Sequence, residues 1–206
     1  MNVIKNNVHK DLESFNQAII DDVNEFRKEK KFNDDYTLFS IDFDDTHKKI
    51  KEFVVKGNQF LLEQKYEEGI KVFQDLLKMR PDDKDGLIGM GNCLIGQKKF
   101  KEAVEVLNKD IGISPNRKAT LIKIGYCHFM TENYNEAISS FNSVLKDSPD
   151  SLAAHSYMAF SYYNLKEYSK SRESAQKALA LEPENSKIKL LIEKLNNQQT
   201  DNLNEL

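Results

Sequence analysis

The prolines of this 206-residue chain are Pro81, Pro115, Pro149 and Pro183, each 34 residues after the last. Gly57, Gly91 and Gly125 keep the same step, with Ala159 where a fourth glycine would fall. So do the aromatic positions Tyr66, Phe100, Tyr134 and Tyr168, and the series Phe73, Leu107, Phe141 and Ala175. Ladders at one shared period demand a unit copied along the chain and stacked on itself, because one such unit cannot bury its apolar side alone. Each ladder has a physical cause. A glycine inside a helix weakens it, so it is kept where a neighbouring helix must come close. The aromatic opens the second helix of each unit, after the polar turns Gln64-Lys65, Lys98-Lys99, Glu132-Asn133 and Lys166-Glu167. The proline after that helix ends it by withholding an N–H, and can start the next one.

Between these marks apolar residues recur at helical spacing, as in Ile70, Phe73, Leu76 and Leu77, or Ile138, Phe141, Val144 and Leu145. On these residues the sequence resembles the tetratricopeptide repeat (TPR) family. The small residue expected early in each second helix is Gly69, Ala103, Ala137 and then Ser171; the large one in the first turn of each first helix is Phe53, Leu87, Leu121 and then His155. The resemblance implies an all-α fold, a right-handed helical-repeat solenoid of four TPR units at 50–83, 84–117, 118–151 and 152–185. Asp110 stands where a small apolar residue is usual, which leaves the end of that helix open, although Pro115 keeps the register.

Two segments flank residues 50–185. After Pro183, Ile188, Leu191, Ile192 and Leu195 form an i, i+3, i+4, i+7 stripe behind Ser186, a candidate N-cap. This predicts a C-terminal capping helix over 186–197, with Lys187, Lys189, Glu193 and Lys194 on its outer side, and a flexible tail over 198–206. In the N-terminal segment, 1–49, Leu12, Phe15, Ile19, Val23 and Phe26 share one helical face. They predict an N-terminal amphipathic helix at about 9–30 that needs a partner surface: the end of repeat 1, the array's own groove, or a second protomer. Phe39 to Asp44 then alternates apolar and polar, which predicts an acidic extended linker.

That linker is similar, over Leu38–Thr46, to the D-x-D-x-T signature of haloacid-dehalogenase-type phosphatases, which would make Asp42 a nucleophile. The chemistry needs a βα domain to hold metal and phosphate. Helical repeats follow instead, so Asp45 and Thr46 are read as capping the first repeat helix. No Ser-His-Asp set, phosphate-binding glycine loop or zinc spacing appears, so the chain is expected not to be an enzyme and to need no metal or cofactor. Cys93 and Cys127 hold equivalent places in successive repeats. Helix axes pack about 8–10 Å apart, wide for a disulfide, and both are read as small buried hydrophobes.

Net charge is −3, from 30 basic and 33 acidic residues, with no basic stripe, which argues against nucleic acid or an anionic membrane as partner. No apolar run is long enough to span a bilayer, and the N-terminus has neither a secretory nor a mitochondrial signature; cytoplasm is the expected location. The resemblance implies that the first helices line a concave face on which another protein or peptide segment lies. Residues three and four apart share a helix side, which selects Val54, Asn58, Ile88, Asn92, Ile122, Lys123, Tyr126, Phe129, Ser156, Tyr157, Phe160 and Tyr163, with Val55, Leu62, Gly89 and Met130 beside them. Its aromatic half predicts an interaction site. Family members that clamp the acidic tails of heat-shock chaperones carry basic and amide residues at places held here by Val54, Asn58, Gly89, Ala119 and Lys123; only Asn58 matches, and Lys123 lacks an arginine's fork. The expected function is a protein-interaction adaptor for an apolar or aromatic-rich polypeptide. The alternatives are a chaperone-like holder of a client, and self-assembly through the N-terminal helix.

Overall fold

The computed structural model describes the backbone of residues 34–113 and 117–204, and the side chains of residues 46–112 and 117–197. The predicted helix at 9–30 lies outside them. The chain divides into two compact units, Met1–Glu52 and Phe53–Leu206. Among the described residues there are nine helices and no strand: α1 Asp34–Leu62, α2 Tyr66–Met79, α3 Lys84–Gly96, α4 Phe100–Ile113, α5 Lys118–Met130, α6 Tyr134–Asp147, α7 Leu152–Asn164, α8 Tyr168–Leu181 and α9 Ser186–Asn204. From α3 to α9 each helix packs on the one before it, and α5 also touches α7. The result is a helical-repeat solenoid.

Local chemistry explains both turns of the unit. Within a repeat, the second residue after the first helix is left-handed and is never glycine: Gln64 (φ 57°), Lys98 (60°), Glu132 (61°) and Lys166 (60°). The next N–H then reaches back to a carbonyl five residues earlier, as in Lys65 N–H to Phe60 O (2.8 Å) and Lys99 N–H to Leu94 O (2.9 Å). This closes the helix end in a Schellman cap and reverses the chain. Between repeats, Asp83 accepts from the Gly86 N–H at 2.9 Å and Ser151 from the Ala154 N–H at 3.5 Å. Pro81 and Pro149 lie in the turn ahead of these caps rather than at the first helical position.

The glycine ladder is steric. A Cβ on Gly57 would sit 2.5 Å from the Phe73 ring, one on Gly91 2.6 Å from Leu107, and one on Gly125 2.6 Å from the Phe141 ring. In repeat 4 both partners change together: Ala159 and Ala175 are fully buried in one cluster, the smaller residue at 175 making room for a methyl at 159. The other departures also have local causes. Ser171, fully buried, donates to the Ala159 carbonyl at 2.8 Å, and buried His155 donates from Nε2 to the Pro149 carbonyl at 2.7 Å. Asp110 does not shorten α4, which runs on to Ile113.

Four expectations need correction. Residues 39–44 are helical, because α1 begins at Asp34. Their alternation spans too few residues to exclude a helix; Phe39, Phe43 and Ile50 also recur at steps of four and seven, and a lone strand would leave its backbone groups unpaired. Asp45 and Thr46 therefore lie inside a helix and do not cap one, and the D-x-D-x-T stretch ends no strand. The cap of α9 is Asn185, whose Oδ1 accepts from the Ile188 N–H at 3.2 Å, not Ser186. Finally, the backbone beyond 197 is helical to Asn204: the segment has no Pro or Gly, and each added residue of an established helix gains a hydrogen bond.

Candidate protein-binding face

The register puts positions 54, 88, 122, 156 and 190 at one place in successive first helices. Val54, Ile88, Ile122 and Ser156 are half-buried there, as are Asn92, Lys123, Tyr126, Phe129, Tyr157, Phe160 and Tyr163; Asn58 is exposed. The expected face residues are thus partly taken up by the array. Tyr157 stacks on Phe141 (5.6 Å between centroids) and meets Tyr126 (5.6 Å) and Phe129 (5.4 Å) edge-on. Tyr126 reaches Phe100 (6.0 Å), Phe129 reaches Tyr134 (5.7 Å), and Tyr163 tilts over Tyr168 (5.8 Å). Offset and edge-on pairs of this kind each add about 0.5–1.5 kcal/mol beyond their area. The rings therefore weld repeats 2, 3 and 4 along the first helices, with Tyr126, Phe129, Tyr157 and Tyr163 each keeping a minor part of their surface accessible. Burial, then the nearby Tyr126 hydroxyl, pushes the Tyr157 phenol up, so it stays a neutral donor and acceptor.

Fully available apolar surface lies elsewhere on the same helices. Leu62 is 79% exposed, Val55 69%, Leu190 53% and Met130 42%. Leu190 was not selected from the sequence, although it is the fifth rung of the series at 54, 88, 122 and 156. The stripe Ile188, Leu191 and Leu195 dominates its helix and packs against Ala175 and Ala178, leaving Leu190 outside. The Arg172 guanidinium holds this last helix in place, bonding the Leu195 carbonyl at 3.0 Å and the Asn196 side chain.

Gly89 is not an open position on the face. A Cβ there would be driven into the Phe73 ring, so the asparagine of a carboxylate clamp has no room at this place. Cys93 and Cys127 are free thiols, fully buried, and burial pushes both up to about 11. Burial lowers the affinity of His128 for its proton, with Glu136 opposing. No group of three or more His, Cys, Asp or Glu side chains among the described residues could hold a metal ion, and none of the described helices is long and apolar enough to cross a membrane.

A family model described as tetratricopeptide repeat matches residues 60–120 and 128–195. Among solved structures, "MamA RS-1 ArsTM double mutant" superposes with a TM-score of 0.70 at 23% identity, covering 74% of this chain and 86% of that one. "MamA 41-end from Desulfovibrio magneticus RS-1" gives 0.70 at 22% identity, covering 74% and 86%. "Crystal structure of MamA protein" gives 0.70 at 16% identity, covering 75% and 84%. At these identities the likeness is one of fold. No curated protein matches the chain.

Proposed function

Since the chain belongs to the tetratricopeptide repeat family, whose members are in general interaction scaffolds rather than enzymes, we propose that it holds an apolar or aromatic-rich segment of another polypeptide on its first-helix face. One observation carries this reading. Six large apolar side chains are exposed among the described residues, and four of them, Val55, Leu62, Met130 and Leu190, lie on the first helices and on α9, which continues their register. Covering each would be worth about 1.5–3 kcal/mol, and the accessible edges of Tyr126, Tyr157, Phe160 and Tyr163 lie beside them in that register, suited to a partner with a partly wet rim. Acidic tails fit poorly, because Val54, Gly89 and Ala119 offer neither charge nor amide.

The test is selection of peptides from a random displayed library on the whole protein, followed by calorimetric titration. An apolar or aromatic consensus is expected, with affinity falling at least about tenfold in Leu62→Asp/Met130→Asp. These sites are exposed, so the variant should keep its helical circular dichroism. An acidic consensus, or an affinity indifferent to that variant, would sink the reading. A client-holding role uses the same face and differs in one measurable respect: the bound polypeptide is released once it folds.

A further inference from the structure

The four joints at which one repeat passes to the next are built from equivalent positions, and one of them differs in every part. At three joints the last turns of the second helix face the next first helix through apolar pairs of complementary size: Leu76 over Gly86, Val144 with Ala154, and Ala178 with Ile188. At the joint between α4 and α5 the pair is Asp110 and Thr120, both buried to 1% exposure or less. Thr120 Oγ1 donates to Asp110 Oδ2 at 2.6 Å, and Asp110 Oδ1 is buried with no hydrogen-bond partner. Two residues on, where the other second helices carry Lys78, Lys146 and Ala180, stands Gly112. A Cβ there would meet nothing within 4 Å, whereas every other glycine of the chain is pressed by a neighbour. The first helix beyond the joint also lacks its cap. Asp83, Ser151 and Asn185 bond the N-termini of α3, α7 and α9 with their side chains; the equivalent Arg117 makes no such bond.

We propose that the α4–α5 joint is the weak seam at which this array opens, with Asp110 as its wedge. In a stack stabilised mainly by nearest-neighbour interfaces, the weakest interface sets where sub-global opening occurs. An unsatisfied buried polar atom favours opening by about 5- to 150-fold. An uncompensated helical glycine adds about fivefold, and a missing cap a similar factor. The seam divides the apolar face as well, with Val55 and Leu62 on one side and Met130 and Leu190 on the other. An occupant spanning both halves would hold the joint shut. The seam itself is a property of the packing and stands whatever the face binds.

Native-state hydrogen exchange on the whole protein tests this, read helix by helix. In the wild type, amides of α4 and α5 should be the least protected of α2 to α8. Asp110→Val, which restores the apolar pattern, should raise their protection at least about tenfold. Gly112→Ala and Arg117→Asp, which leave the core untouched, should each raise it about fivefold. Throughout, α6 and α7 should shift less than about twofold. Thr120→Val, which strips the last partner from the carboxyl, should act in reverse. Wild-type α4 and α5 as slow as α6 and α7, equal gains in every helix, or protection unchanged or lost in Asp110→Val would each overturn the seam.

Discussion

Placing one methyl group on Gly125 separates the two readings of a glycine in a helix: a defect, or a required gap. The new Cβ would lie 2.6 Å from Phe141 Cε1 and 2.7 Å from its Cζ, closer than real Cβ contacts come. The ring cannot give way easily, because Phe141 is fully buried, stacked on Tyr157, and in one cluster with Ala154 and Met158. Overpacking of this kind costs about 1–3 kcal/mol, while exchanging glycine for alanine inside a helix gains about 1 kcal/mol. Gly112→Ala supplies the control, since it makes the same helical gain in open space. The difference between the two variants then isolates the clash, at about 1–3 kcal/mol. Urea unfolding followed by far-ultraviolet circular dichroism, with tyrosine fluorescence as a second probe, measures it. Pairing Gly125→Ala with Phe141→Ala copies the Ala159/Ala175 solution of repeat 4, and the double variant should recover about the clash energy relative to the sum of the singles. If Gly125→Ala and Gly112→Ala stabilise the protein alike, within about 0.5 kcal/mol, the ladder is not a packing requirement and the account of the repeat given above is wrong.

Relief of the left-handed turn residues should be stabilising: Lys98→Gly, at φ 60°, is expected to gain up to about 1 kcal/mol in the same urea assay, and a loss would mean the lysine side chain is making an interaction of its own. With both thiols near 11, Cys93 and Cys127 should resist an aromatic disulfide reagent in the native protein at neutral pH and react fully in urea; rapid native labelling would contradict their burial. Arg172→Ala removes the bonds to the Leu195 carbonyl and the Asn196 side chain, so amide exchange should accelerate in α9 far more than in α6, and uniform acceleration would show that the arginine does not anchor that helix.

The amino-acid sequence by itself determines the period, the number of repeats and the turns between paired helices. These rest on local chemistry: the Schellman turns before Tyr66, Phe100, Tyr134 and Tyr168, the turn prolines, and the helical recurrence of apolar residues. Local signals of this kind act within a few residues and can be read without knowing the neighbours. They also misled where two local readings were open. Alternation over Phe39–Asp44 suits a strand or a helix, and the described residues hold no strand for it to pair with. Ser186 and Asn185 are both good caps, and the geometry of the turn selects Asn185. What tertiary structure alone decides is exposure. Tyr157 looks like open binding surface until Phe141, Tyr126 and Phe129 are seen to claim three sides of its ring. Gly89 looks like a vacant place on the face until Phe73 is found filling it. Leu190 looks like one more apolar residue of a capping helix until Ile188, Leu191 and Leu195 take the core side without it. Burial is a property of pairs, set by which side chain from the next helix arrives first, and a 34-residue period fixes where each helix stands but not which of its neighbours fills the gap.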